Sequence, residues 1–268
     1  RGIPSRLGTE MSRRQIAKRI LRQRPDLQQR WQERLASSDA DNFHTRTCRC
    51  SACRTSVAEE SSEDAAYATQ NSEFPDRILI SSTLGDITKD YIDWPNNDTL
   101  TYTIFDRERN NSLVTTNSHS DTEEQFISEA VDEVDEIIGL DFSYSESVGN
   151  SQVVFVSVDR YRPWGPDDDV AGQVVETKNR WYVLWRDYTP DSDELIDYDK
   201  NTIIHELGHA LGLSHPNERP DNPRYNTVED TIMSYNDFNG QWGTEFTEND
   251  FDALQMIWGA ETTTKVVA

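Results

Sequence analysis

Residues 205–215 read His-Glu-Leu-Gly-His-Ala-Leu-Gly-Leu-Ser-His and hold three of the chain's five histidines. On a helix, His205 and His209 are four apart, so their rings leave one face, one turn above the other. Two imidazoles so placed can share a tetrahedral ion. Ile204, Leu207 and Leu211 fall elsewhere on the helix surface and can anchor it in a core. Gly212 suits the end of the helix, because glycine accepts the left-handed conformation that turns the chain back. Three residues later, His215 can add a third ligand from a non-helical segment. Three neutral ligands leave a fourth position open, the arrangement of a catalytic zinc rather than a structural one. Glu206 sits beside a ligand without replacing it, where a carboxylate can act on a water at the metal. A bare HExxH arises by chance. The added glycine and third histidine make chance a poor account.

The chain around this helix has the pattern of an α+β domain. Leu100–Phe105 alternates like a strand, Val153–Val158 is an apolar run suited to a buried strand, and Trp181–Trp185 is aromatic and β-branched. Asp121–Gly139 reads as an amphipathic helix with Phe126, Ala130, Val134, Ile137 and Ile138 on its core face. The region of Asn201–Leu211 and the segment Thr247–Trp258 are the other helices. The last opens on Thr247 and Asp250, spaced like a capping box, and stops at Gly259. Ala171–Glu176 is the candidate edge strand along which an extended peptide would lie.

Charge divides the chain in two. Residues 1–70 carry 13 basic and 9 acidic side chains, and the rest carries 13 basic against 40 acidic. The acidic part repels nucleic acid and anionic membranes, so neither is expected as its partner. No stretch approaches the ~20 apolar residues of a membrane span. Five lysines stand against 21 arginines, and acidity with little lysine suits either an ordinary acidic secreted protein or one that works at high salt. The expected division is a basic N-terminal pro-segment or accessory region over 1–75 and the domain that carries the histidine motif over 76–268.

The motif HELGHALGLSHP resembles that of the metzincin zinc metalloendopeptidases, HExxHxxGxxH followed by a Met-turn. Thr231-Ile232-Met233-Ser234-Tyr235 supplies the second half. The resemblance covers about residues 98–260. It implies a metzincin-like domain, with a twisted, mostly parallel sheet, an active-site helix and a C-terminal helix. It also implies Zn2+ on His205, His209 and His215, Met233 as the apolar base beneath it, and Tyr235 as an additional ligand that can swing off to assist catalysis. The implied reaction is peptide-bond hydrolysis by a metal-activated water, with Glu206 as general base. Protein or peptide substrates, a monomer and export from the cell are expected with it. IMSY is similar to the serralysin and astacin branches, and Pro216, the stretch DNPRYN and the closing FTENDFDALQMIWG favour the serralysins. Serralysins carry glycine-rich calcium repeats after this domain. These do not occur within the 268 residues, so a matrixin-like or stand-alone relative fits equally well.

Two weaker constellations remain. Trp164-Gly165-Pro166-Asp167-Asp168-Asp169 could hold Ca2+ on clustered carboxylates or be a solvated acidic loop. His44 with Cys48, Cys50 and Cys53 has several readings: a thiolate that masks the catalytic zinc, as a matrixin propeptide does, a separate zinc knuckle, a disulfide, or free thiols. The rival function is a non-catalytic, zinc-containing binding protein with an N-terminal Cys/His partner or nucleic-acid module. Glu206 argues against it, because a binder needs no general base.

Overall fold

The computed structural model describes residues 76–164, 170–189, 194–216 and 226–261. The Cys48–Cys53 cluster, the acidic run after Trp164 and most of the DNPRYN stretch therefore lie outside the described residues. Strands β1 (Thr99–Ile104), β2 (Arg109–Asn110), β3 (Val114–Thr116), β4 (Asp141–Tyr144), β5 (Val153–Tyr161), β6 (Gly172–Thr177) and β7 (Arg180–Trp185) form one sheet. Helices α1 (Ser82–Ile92), α2 (Asp121–Asp135), α3 (Asp197–Ala210) and α4 (Glu248–Trp258) complete the fold. Among the described residues no helix is long and apolar enough to cross a membrane.

The heart of the sheet, β4-β1-β5-β7, is parallel throughout. Antiparallel pairings are confined to the flanks, where β6 runs against β7 and the β2–β3 hairpin extends the far half of β5. Strand β5 is central because both its faces can be buried. Val153 and Phe155 face the main core, while Val154, Val156 and Val158 face a second cluster with Trp164, Val170 and Leu184. A continuous apolar run with two-residue alternation is what such a strand requires. At the other flank, β6 pairs only with β7 among the described strands and leaves an edge.

Helix α3 is buried on all sides from Tyr198 to Ala210, well beyond the single apolar stripe expected of it. Such burial requires partners for its terminal backbone groups. Gly212, with φ +108°, closes a Schellman turn in which Leu213 N–H donates to Gly208 O at 2.9 Å and Gly212 N–H to His209 O at 3.1 Å. Thr88 Oγ from α1 donates to Ala210 O at 2.6 Å, and Trp258 Nε1 from α4 donates to Leu211 O at 2.8 Å. Trp181 Nε1 from β7 donates in turn to Thr88 Oγ at 2.8 Å. The end of α3 that leads into the histidine motif is thus tied to two helices and the sheet.

Helix α2 ends at Asp135, short of Gly139, because Ile138 turns out of it to bridge Ala260. Its apolar face is Ile127, Ala130, Val131 and Val134, with Phe126 only partly buried.

His119, just ahead of the Ser120 cap of α2, is buried with its ring 6.0 Å from that of Trp185. Burial pushes its pKa down to about 4 from 6.5, against a smaller opposing pull from Asp106. The unfolded chain therefore binds a proton that the folded one refuses, and stability falls as pH drops from 6.5 towards 4. In the metal-free protein, His119→Gln should lose about 2 kcal/mol less than the parent between about pH 7.5 and 5 in urea unfolding. Identical losses would mean that His119 titrates normally.

Candidate metal centre

Three imidazoles converge where α3 meets the segment after it. His205 and His209 leave α3 on one face, and the Schellman turn returns the chain so that His215 faces both. The Nε2 atom of His215 lies 3.2 Å from Nε2 of His205 and 3.2 Å from Nε2 of His209. All three rings are buried, and their ligand atoms form one group that could hold a metal ion.

The hydrogen bonds behind the rings fix which nitrogens face inward. Nδ1 of His205 lies 2.9 Å from Ile232 O, and Nδ1 of His209 lies 2.8 Å from Leu213 O. A carbonyl oxygen only accepts, so each Nδ1 carries the proton and each Nε2 presents a lone pair. Both lone pairs face Nε2 of His215, where one cation could take all three nitrogens. Tetrahedral bonds of ~2.0–2.1 Å to two nitrogens separate them by about 3.3 Å, close to the spacing here. The site fits zinc in donor type, tautomer and distance, and its carbonyl partners orient the ligand rings.

Tyr235 adds a fourth ring, centred 4.8 Å from His215 and 5.4 Å from His205. Beneath the site, Met233 is fully buried and packs on α3 at Gly208, whose missing Cβ would stand 2.7 Å from the Met233 sulfur. Glu206, 3% exposed, lies between α3 and β6, with Oε1 3.0 Å from the point where a Cβ on Gly172 would stand. The residues singled out in the motif and the Met-turn are thus gathered in one place.

The spacing of Asp250 from Thr247 implies only a local, helix-capping role. Asp250 does cap α4, but its carboxylate also reaches the Met-turn. Oδ1 accepts from Thr231 Oγ at 2.5 Å, and Oδ2 accepts from Ile232 N–H at 2.9 Å and from Thr247 N–H and Oγ at 2.9 and 2.8 Å. Burial raises its pKa, and these donors work in the opposite direction. Ile232 offers its carbonyl to His205, so the helix cap is linked to this imidazole through a single residue. No short-range signal gives a contact of this sequence separation. Asp199, buried in the first turn of α3, also escaped notice; burial and the nearby Asp187 hold its carboxyl well above the ordinary range.

The HExxHxxGxxH pattern and the Met-turn gathered at this site resemble those of the metzincin zinc metallopeptidases. Residues 197–256 match the family model of the astacin peptidases. Among curated relatives, Serralysin A of Dickeya chrysanthemi is 38% identical over 98 residues, 31% of this chain and 21% of that protein. Serralysin of Proteus mirabilis is 34% identical over 114 residues, 36% of this chain and 22% of that protein. The chain thus matches about a fifth of the length of these relatives. A crystal structure of myroilysin covers 69% of this chain and 96% of its own at 15% identity, with a TM-score of 0.36, too low to bear on the fold. Residues 197–256, which carry the site, are thus similar to the astacin peptidases, and the chain is similar in part to the serralysins.

Asp250→Ala would leave the Thr231 and Ile232 donors buried without their acceptor. Its expected cost is about 3 kcal/mol in urea unfolding. Zinc affinity should fall by ~10–100-fold in a competitive chelator titration. Unchanged zinc affinity in a destabilised but folded variant would show that the clamp does not govern His205.

Proposed function

We propose that this chain is a zinc-dependent endopeptidase in which Glu206 is the general base. The observation that carries this reading is the convergence of three imidazoles beside a buried glutamate that neighbours a ligand instead of replacing one. Zinc on the three imidazoles would supply a Lewis acid beside the scissile carbonyl and lower the pKa of a water there towards ~7. Glu206 takes that water's proton and returns it to the leaving amine. Tyr235, set against two of the imidazole rings, would be an additional ligand at rest and would donate a hydrogen bond to the developing oxyanion during reaction. An extended substrate adds to the free edge of β6, where backbone pairing fixes its register over Glu206.

Residues 1–75 are proposed as a pro-segment that holds the enzyme latent, with a thiolate of Cys48, Cys50 or Cys53 occupying the open metal position. The charge contrast between this segment and the acidic remainder favours their association at low salt. Secretion is part of the same reading, and the acidic stretch at 164–169 is left between a solvated loop and a Ca2+ site.

The test is hydrolysis of an unfolded protein by the full chain and by a Cys48/Cys50/Cys53→Ser variant. Cleavage should be abolished by a zinc chelator and restored by zinc, and the serine variant should be the faster enzyme. Glu206→Ala should keep its zinc and lose activity by ~10²–10⁴-fold. If the zinc-loaded, folded serine variant cleaves nothing, the rival reading of a zinc-containing binding protein takes over.

A further inference from the structure

Strand β6 crosses α3 at Gly172 with less room than a methyl group needs. A Cβ there would stand 2.5 Å from Thr202 Cγ2, 2.9 Å from Glu206 Cγ and 3.0 Å from Glu206 Oε1. Ordinary carbon contacts lie at ~3.5–4.0 Å. The glycine is not required by the backbone, because it sits in a regular ladder opposite Trp185 and is absent from the glycines with positive φ. What it supplies is space.

Neither element can easily withdraw. Arg186 N–H donates to Ala171 O at 2.7 Å, and Gln173 is buried with Oε1 accepting from Trp164 Nε1 at 2.9 Å, so both neighbours of Gly172 are fixed. On the helix side, α3 is buried all round and Thr202 Oγ donates to Tyr198 O at 2.9 Å. Two of the three close atoms belong to Glu206, the longer of the two side chains that meet Gly172.

We propose that Gly172 is a positioning residue: its bare Cα is the wall that holds the Glu206 carboxylate, so the edge strand that receives substrate also sets the reach of the base. This rests on the reading of Glu206 as general base. It predicts that a methyl group at 172 deflects Glu206 even when the rest of the crossing is relieved.

The test uses Gly172→Ala in the full chain, alone and with Thr202→Ser, which removes the Cγ2 methyl but keeps the hydroxyl. In the metal-free protein, thermal unfolding of Gly172→Ala is compared in the parent and Glu206→Ala backgrounds. The inference expects the drop in midpoint to be clearly smaller when Glu206 is truncated. It also expects the Gly172→Ala/Thr202→Ser protein to recover most of its midpoint and bind one zinc, yet show kcat reduced about 10–100-fold with KM little changed. Equal midpoint losses in the two backgrounds, or parental kcat in the double variant, would overturn it. Glu206→Gln separates the two readings. If that variant is active, the base assignment fails and takes the catalytic half of the inference with it. If it is inactive while the unfolding coupling is absent, the inference alone fails.

Discussion

The buried carboxylate of Asp250 holds together parts of the chain that otherwise have no reason to meet. A carboxylate removed from water is costly unless its oxygens are fully engaged. Here the donors come from the cap of α4 and from the Met-turn, so satisfying the charge fixes one against the other. Ile232, held by its N–H, then passes the constraint to His205 through its own carbonyl. Helix capping, usually a local matter, becomes part of the construction of the metal centre.

The same economy governs α3. A helix buried on every side gives up the solvent that would satisfy its last carbonyls, and Thr88, Trp258 and the turn at Gly212 replace it. That turn also directs His215 at the two helical histidines, so ending the helix and completing the ligand set are one event. The protons on Nδ1 of His205 and His209 are fixed by backbone carbonyls, so both rings turn an Nε2 lone pair toward Nε2 of His215, as binding of a cation requires. Strand β6 presses close on α3 at Gly172 and encloses Glu206. Glu206 is therefore held between two regular elements, which place side chains more firmly than loops do.

Much of the site was legible because its geometry is short-range. Spacing of four on a helix, a glycine at its end and a histidine three residues on are read from the chain directly, and the structure assembles those residues as read. Strands β5 and β7 announced themselves by apolar and aromatic runs, and α4 by its cap. Helix α1 did not, since Ser82–Ile92 mixes Gly85 and β-branched residues into a weak pattern and is stabilised by packing on α3. The short strands β2, β3 and β4 offer too few residues for periodicity to register. The clamp of Asp250 on the Met-turn and the crossing of β6 over Glu206 depend on contacts distant in sequence, which no local pattern encodes.

The central claim is that His205, His209 and His215 form a zinc centre with their Nε2 atoms. Zinc-edge X-ray absorption on the full chain loaded with one equivalent tests it most directly, alongside the same measurement on His209→Ala. The account predicts nitrogen ligands at ~2.0–2.1 Å without sulfur in a Cys48/Cys50/Cys53→Ser background, and loss of tight binding in His209→Ala. A sulfur-dominated shell in the parent that survives His209→Ala unchanged, with no zinc taken up by the serine variant, would contradict it.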